Sequence, residues 1–201
     1  MEDALDRAMT VFWRNGYEGA SMSELTVAMG INSPSLYACF GNKEGLFRAV
    51  LERYDERRKS FMEYVVAASD VGQMAERFLH GVADFAADTS GKNPPGCLLL
   101  QSGLSCGEES IPDELARHRA EKEMMLRGKI EAARKKGELS KDTDPASLAR
   151  YLITVSNGMC VQAASGTTAK ELHAVADLAL KAWPATTAKL SKKKSRAAIS
   201  V

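Results

Sequence analysis

The chain has 201 residues, 45% of them hydrophobic and 26% charged, with a formal net charge of +1. That is enough length for one large or two small domains with a buried core, and the composition excludes both a largely disordered chain and one that is basic throughout. No apolar run approaches the length of about 20 residues needed to cross a bilayer, and the opening MEDALDRAM is acidic and amphipathic, so a cytoplasmic protein without a membrane partner is expected.

In chain order, the first predicted helix runs from about Asp3 to Asn15, with Leu5, Ala8 or Met9, and Phe12 on one face, Gly16 as its stop and Tyr17 packed over that end. Ser21 and Glu24 have the spacing of a capping box, so a second helix starts there. Met22, Leu25, Ala28 and Met29 give it an apolar face, and Gly30 can take the left-handed conformation that ends it. Asn32 or Ser33 caps a third helix with Pro34 just inside its start, where the missing N–H costs nothing. Leu36 and Phe40 of this helix turn inward, which leaves Ser33, Ser35, Tyr37 and Cys39 outward. Two short helices about a glycine turn, the second presenting hydroxyls, outline a helix-turn-helix.

Asn42 caps a long fourth helix containing Leu46, Val50, Tyr54, Phe61 and Val65, whose charged row DERRK at 55–59 is expected in solvent. A fifth helix spans Val71 to Ala87 and is closed by SGKNPPG; Gly96 to Ser105 is a short apolar helix. A long helix follows from Ile111 to a basic last turn before Gly137. Asp144-Pro145 opens the next, to about Ala164, and Thr168 with Glu171 makes a capping box for a last helix ending near Trp183-Pro184. No strand pattern or internal repeat competes, so the fold class is all-α with about nine helices. The expected units are 1–47, carrying the helix-turn-helix; 48–184, a second helical domain, which the resemblance described next implies binds an effector and dimerises; and 185–201, a basic, disordered tail with five cations.

The segment VFWRNGYEGASMSELTVAMGI followed by SLYACFGNKEGLF resembles the N-terminal region of TetR-family transcriptional repressors, whose pattern runs G-V-x-x-x-x-L-Y-x-x-F-x-x-K-E-x-L. Ile31 stands for the usual valine, and Leu36, Tyr37, Phe40, Lys43, Glu44 and Leu46 match. The resemblance covers about the first fifty residues. It implies a ligand-responsive repressor, not an enzyme, that binds a pseudo-palindromic double-stranded DNA operator as a homodimer and is released by a small-molecule effector. By the same resemblance Ser33, Pro34, Ser35 and Tyr37 enter the major groove or touch its flanking phosphates, Lys43 reaches a phosphate at a helix N-terminus, and Ser21 offers a backbone N–H to another. Cys39 stands where the family has tyrosine or histidine.

Charge constrains how such a domain could hold DNA. Within residues 1–50 four cations, Arg7, Arg14, Lys43 and Arg48, face six carboxylates, Glu2, Asp3, Asp6, Glu18, Glu24 and Glu44, for a net of −2. Positioning must then lean on helix caps, hydroxyls and a few placed cations rather than on bulk attraction.

In the C-terminal region Phe78, Phe85, Met124 and Tyr151 are candidates for lining an effector cavity, with plain core as the alternative. The apolar stripes of the last two helices, including Leu152, Val155, Met159, Leu172, Val175 and Ala179, could be core or could dock on a second copy as a four-helix bundle, which is the family's mode of dimerisation. Four scattered cysteines lack C-x-x-C spacing, so free thiols and neither metal nor cofactor are expected. Cys97, at a helix start, and Cys106, before a loop, are candidates for an oxidant or electrophile sensor, the alternative regulatory reading; a helical dimerisation module that binds no DNA is another. His80, His118 and His173 lie on polar stretches and are expected at the surface; no spacing or acidic orienter pairs them with a cysteine for catalysis.

Overall fold

A computed structural model describes residues 2–88, 91, 93–103 and 110–184. Cys106 and the tail at 185–201 lie outside the described residues. Nine helices follow one another among those described: α1 (Glu2–Gly19), α2 (Met22–Met29), α3 (Ser33–Phe40), α4 (Lys43–Val66), α5 (Val71–Ala87), α6 (Leu98–Gly103), α7 (Ser110–Lys135), α8 (Pro145–Ala164) and α9 (Ala169–Lys181). The expected all-α architecture is the one observed.

Local chemistry accounts for most helix boundaries. Asp70 begins α5 by accepting from Gln73 N at 2.9 Å, and Asp144 begins α8 by accepting from Ser147 N at 3.1 Å. Thr168 and Glu171 form both halves of the capping box on α9. At α2 the Ser21 hydroxyl takes Glu24 N at 3.1 Å, but the Glu24 carboxylate is turned to the Asn15 amide at 2.9 Å, which ties α2 back to α1. The expected stop at Gly16 is a kink within α1, with φ 71° and ψ 177°, after which one further turn carries Tyr17 into the core.

Helices α1–α3 and the start of α4 close around a core of Phe12, Tyr17, Leu25, Leu36 and Phe47. The Phe47 ring meets Phe12 and Tyr17 edge-on, at centroid distances of 4.9 and 5.1 Å. Beyond it, α5 packs between α8 and α9, α7 lies along α8, and α6 is pressed against α1. Helix α4 runs from the first group into the second without a break, so the expected boundary at residue 47 falls inside one continuous helix.

Candidate nucleic-acid interface and internal polar cluster

Three caps aim the N-terminal surface. Gly30 ends α2 in the left-handed region (φ 69°, ψ 30°), where a side chain would be strained, and its N–H returns to Thr26 and Val27 carbonyls. The chain then turns so that Asn32 caps α3 through Ser35 N at 2.9 Å, and Asn42 caps α4 through Gly45 N at 2.8 Å. Leu36 is fully buried and fixes the rotation of α3. Ser33, Pro34, Ser35, Tyr37, Ala38 and Cys39 consequently form one exposed face, with Tyr37 49% accessible. Lys43 stands beside this face at the start of α4, its Nζ donating to Glu18 O at 3.3 Å and lying 4.6 Å from the Tyr17 ring centroid. The Ser21 hydroxyl is spent on its own cap, which leaves the backbone as what that position offers. The six residues expected to meet DNA thus lie on α3 and on the N-termini of α2 and α4.

A second site lies inside, and half of it went unread in the sequence. Within the charged row 55–59, Glu56, Arg57 and Lys59 are exposed as expected, but Arg58 is only 7% accessible. Its guanidinium lies 4.3 Å over the Phe85 ring, donates to the Tyr54 hydroxyl and points Nη1 at Cys97 Sγ, 3.8 Å away. Tyr54 Oη itself lies 3.3 Å from that sulfur. Cys160, from α8, lines the same cavity as Cys97. Gly96 (φ 100°) makes this approach possible: a Cβ there would sit 3.1 Å from Ala164 Cβ and 3.2 Å from Cys160 O. The neighbouring Cys160 thiol and the Arg58 and Lys122 charges hold the Cys97 thiol well below its ordinary range, whereas the Cys97 sulfur beside it and burial push Cys160 up. Burial and the neighbouring Arg58 charge bring the Lys122 ammonium down to about 8.

These groups border an internal cavity of about 40 Å³, lined also by Phe78, Val82 and Asn157. An open cleft of about 570 Å³ between α4 and α7 shares Arg58, Met62 and Lys122 with it. Two of the expected cavity residues lie elsewhere. Met124 is 62% exposed, and Tyr151 donates its hydroxyl to Ala179 O at 2.8 Å, pinning α8 to α9. Phe78 does line the cavity, and Phe85 forms the floor under Arg58.

The histidines are not simply at the surface. His118 is largely buried on α7 and ion-pairs with Asp55 of α4, which raises its pKa. His80 and His173 stack at 5.0 Å with their Nδ1 atoms 2.8 Å apart, flanked by Asp177 and Asp84, and so link α5 to α9.

The stripe on the last two helices also divides differently from expectation. Leu152, Met159, Leu172 and Ala179 are buried within the chain, holding α8 and α9 to their neighbours. Val155 is half-buried. The apolar side chains left outward are Val161 on α8 with Val175 and Leu178 on α9, 48%, 43% and 64% exposed, and Val161 and Leu178 were not singled out in the sequence. Gly158, Ala164 and Ala174 are exposed on the same two helices.

Comparison with known proteins bears on both regions. The model of the tetR family of bacterial regulatory proteins matches residues 4–50, and that of the tetracyclin repressor-like C-terminal domain matches residues 75–179. The HTH-type transcriptional repressor ComR of Escherichia coli (strain K12) is 33% identical over 185 residues, covering 90% of this chain and 87% of that protein. The HTH-type transcriptional regulator YezE of Bacillus subtilis (strain 168) is 33% identical over 157 residues, covering 74% of this chain and 77% of that protein. Among solved structures, a cysteine mutant of the TetR family transcriptional regulator CifR, complexed with 26-bp double-strand operator DNA, superposes with a TM-score of 0.85 at 39% identity, covering 91% of this chain and 96% of that one. With an N-terminal helix-turn-helix and a helical C-terminal domain that both match, the chain belongs to the TetR family of bacterial regulatory proteins, which are DNA-binding transcription regulators and not enzymes.

Proposed function

We propose that the protein represses transcription from the cytoplasm as a homodimer that binds a pseudo-palindromic operator and lets go when an effector acts on its C-terminal domain. The observation that carries this reading is the outward face of α3, whose rotation is fixed by Leu36 and the Asn32 cap. Ser33, Pro34, Ser35 and Tyr37 enter or flank the major groove, while Lys43 and the backbone at Ser21 take phosphates. The operator complex of CifR supports it from outside the chain. Residues 1–47 serve as the reading domain and 48–184 as the effector and dimerisation domain. The outward stripe of Val161, Val175 and Leu178 is where two copies meet. The effector site is the cavity around Arg58, because it is the place where a buried charge, a low-dielectric wall and an entry cleft coincide.

Selection from fragmented genomic DNA tests the reading. The wild-type protein should enrich one palindromic site, and Tyr37→Ala should lose that enrichment while sedimenting as the same dimer. Enrichment retained by the variant, or none by wild type at low salt, contradicts it.

A further inference from the structure

Cys97 and Cys160 come from different parts of the chain, just ahead of α6 and in the last turns of α8, and line one cavity together with Arg58 and Lys122. Cys97 Sγ has the Tyr54 hydroxyl at 3.3 Å and Arg58 Nη1 at 3.8 Å. Arg58 is over nine-tenths buried, lines the cavity, and keeps its Nε without a hydrogen-bond partner. A buried guanidinium with a spare donor calls for a group that can accept from it. Both cysteines are free thiols.

Resting on the regulatory reading above, we propose that this pair is a dithiol switch: a hydroperoxide small enough for the cavity oxidises Cys97, Cys160 resolves it to an intramolecular disulfide, and the oxidised protein releases its operator. The size of the cavity selects the oxidant class. At about 40 Å³ it has room for two or three water-sized atoms, which admits hydrogen peroxide. The α4–α7 cleft, sharing Arg58, Met62 and Lys122 with the cavity, is the route in.

The chemistry closes with the groups present. The Cys97 thiolate attacks one peroxide oxygen; the S–O bond forms as the O–O bond breaks, and the departing hydroxide takes a proton from the Lys122 ammonium to leave as water. The Lys122 amine then accepts the Cys160 proton. Cys160 sulfur attacks Cys97 sulfur, forming the S–S bond and expelling hydroxide, which takes the proton from the re-formed Lys122 ammonium to leave as the second water, and Lys122 regains from solvent the proton that Cys97 released on ionising. Two thiols are oxidised by two electrons and one peroxide is reduced to two waters. The spare Arg58 donor, on the cavity wall, stabilises the charge passing to the leaving oxygen, while the Tyr54 hydroxyl holds the guanidinium and the Cys97 sulfur in place. Once the disulfide forms, Arg58 has lost the anionic sulfur, while Tyr54, which touches Trp13 of α1 edge-on at 5.3 Å, has lost its sulfur partner.

The experiment uses the full chain, purified reduced, with operator affinity followed by fluorescence anisotropy and thiol state by mass spectrometry before and after stoichiometric hydrogen peroxide. The expected product has lost two hydrogens and yields a peptide linking Cys97 to Cys160. Operator affinity should fall by about tenfold or more and return on reduction. Cys160→Ser should stop at a sulfenic acid trapped by dimedone, Cys97→Ser should be inert, and Cys106→Ser should respond like wild type. A bridge from Cys97 to Cys106, no bridge at all, or a Cys97–Cys160 bridge that leaves affinity unchanged would each overturn the proposal. If the reduced protein binds no operator, it is the DNA-binding reading that fails. The mass readout still decides whether the thiol pair oxidises.

Discussion

Replacing Tyr54 with phenylalanine isolates what the internal cluster contributes. The substitution removes one oxygen and keeps the ring, which meets Trp13 at 5.3 Å and Phe85 at 6.4 Å, so no sizeable packing loss confuses the reading. That oxygen accepts from the Arg58 guanidinium and partners Cys97 Sγ at 3.3 Å. A hydrogen bond to a charged group contributes about 1.5–3 kcal/mol, and here the donor left behind is buried, which places the expected loss at about 2–3 kcal/mol. For a chain of this size that is a fall of roughly 4–12 °C in melting temperature. Wild type and variant should be compared at one protomer concentration, since dimer dissociation shifts apparent stability. Tyr37→Phe, at an exposed site, is the control and should melt with wild type. A Tyr54→Phe protein melting within about 1 °C of wild type would refute the idea that this hydroxyl holds the buried Arg58, because the cavity beside it would then be supplying an equivalent acceptor.

Lys43→Met should lower the salt dependence of operator binding by about 0.9 in log–log slope for each phosphate that Lys43 neutralises, twice that per dimer, measured by anisotropy across a salt series; an unchanged slope removes Lys43 from the interface. Leu178→Glu places a charge in the outward stripe of α9 and should convert the dimer to monomers in sedimentation, with weaker operator binding as a result; a stable dimer would move the interface elsewhere. The His118–Asp55 pair raises the histidine pKa on folding, so its stabilisation is complete below the unfolded value of about 6.5 and fades as pH rises through the folded one. The gap in urea midpoint between wild type and His118→Gln should therefore narrow as pH rises through that window; a gap that widens reverses the assignment. Thr168→Ala removes one half of the α9 capping box and should cost about 1 kcal/mol in the same assay.

What the sequence made legible is what short-range chemistry decides. Asn32, Asn42, Asp70, Asp144 and Thr168 each satisfy backbone donors two or three residues away, so the helix starts could be read one at a time. The exposed face of α3 followed from the position of Leu36 alone. The internal cluster had no such signature. A run of charges normally marks a solvated face, and Arg58 departs from that because its compensation comes from Tyr54 four residues back, Phe85 on α5 and Cys97 ahead of α6, partners that only the tertiary fold assembles. Cys160 was unremarkable for the same reason. The stripes on α8 and α9 were open between core and interface for another reason: both helices carry apolar residues on two faces, and periodicity cannot say which one meets the rest of the chain. Leu152 and Leu172 proved internal, leaving Val175 and Leu178 outside.

The position of Arg58 explains why a change of a few atoms there could reach DNA. Helix α4 has 24 residues, a rod of about 36 Å, and Arg58 lies about 22 Å along it from Lys43. Its other end is fixed to the reading domain by the Asn42 cap, the Lys43 bond to Glu18 and the burial of Leu46 and Phe47. Such a rod transmits displacement instead of absorbing it. A second path runs beside it, since Trp13 of α1 packs on both Tyr54 and Phe85, the two rings that flank Arg58. In the proposed switch, the reduced Cys97 sulfur compensates the buried guanidinium and both paths stay in one arrangement. In that proposal, loss of the anionic sulfur is relieved by α4 carrying Arg58 toward the open α4–α7 cleft, which Arg58 also lines. In the proposed dimer each copy would tilt its own α4, and two recognition helices that must meet the operator at a fixed spacing would lose register together.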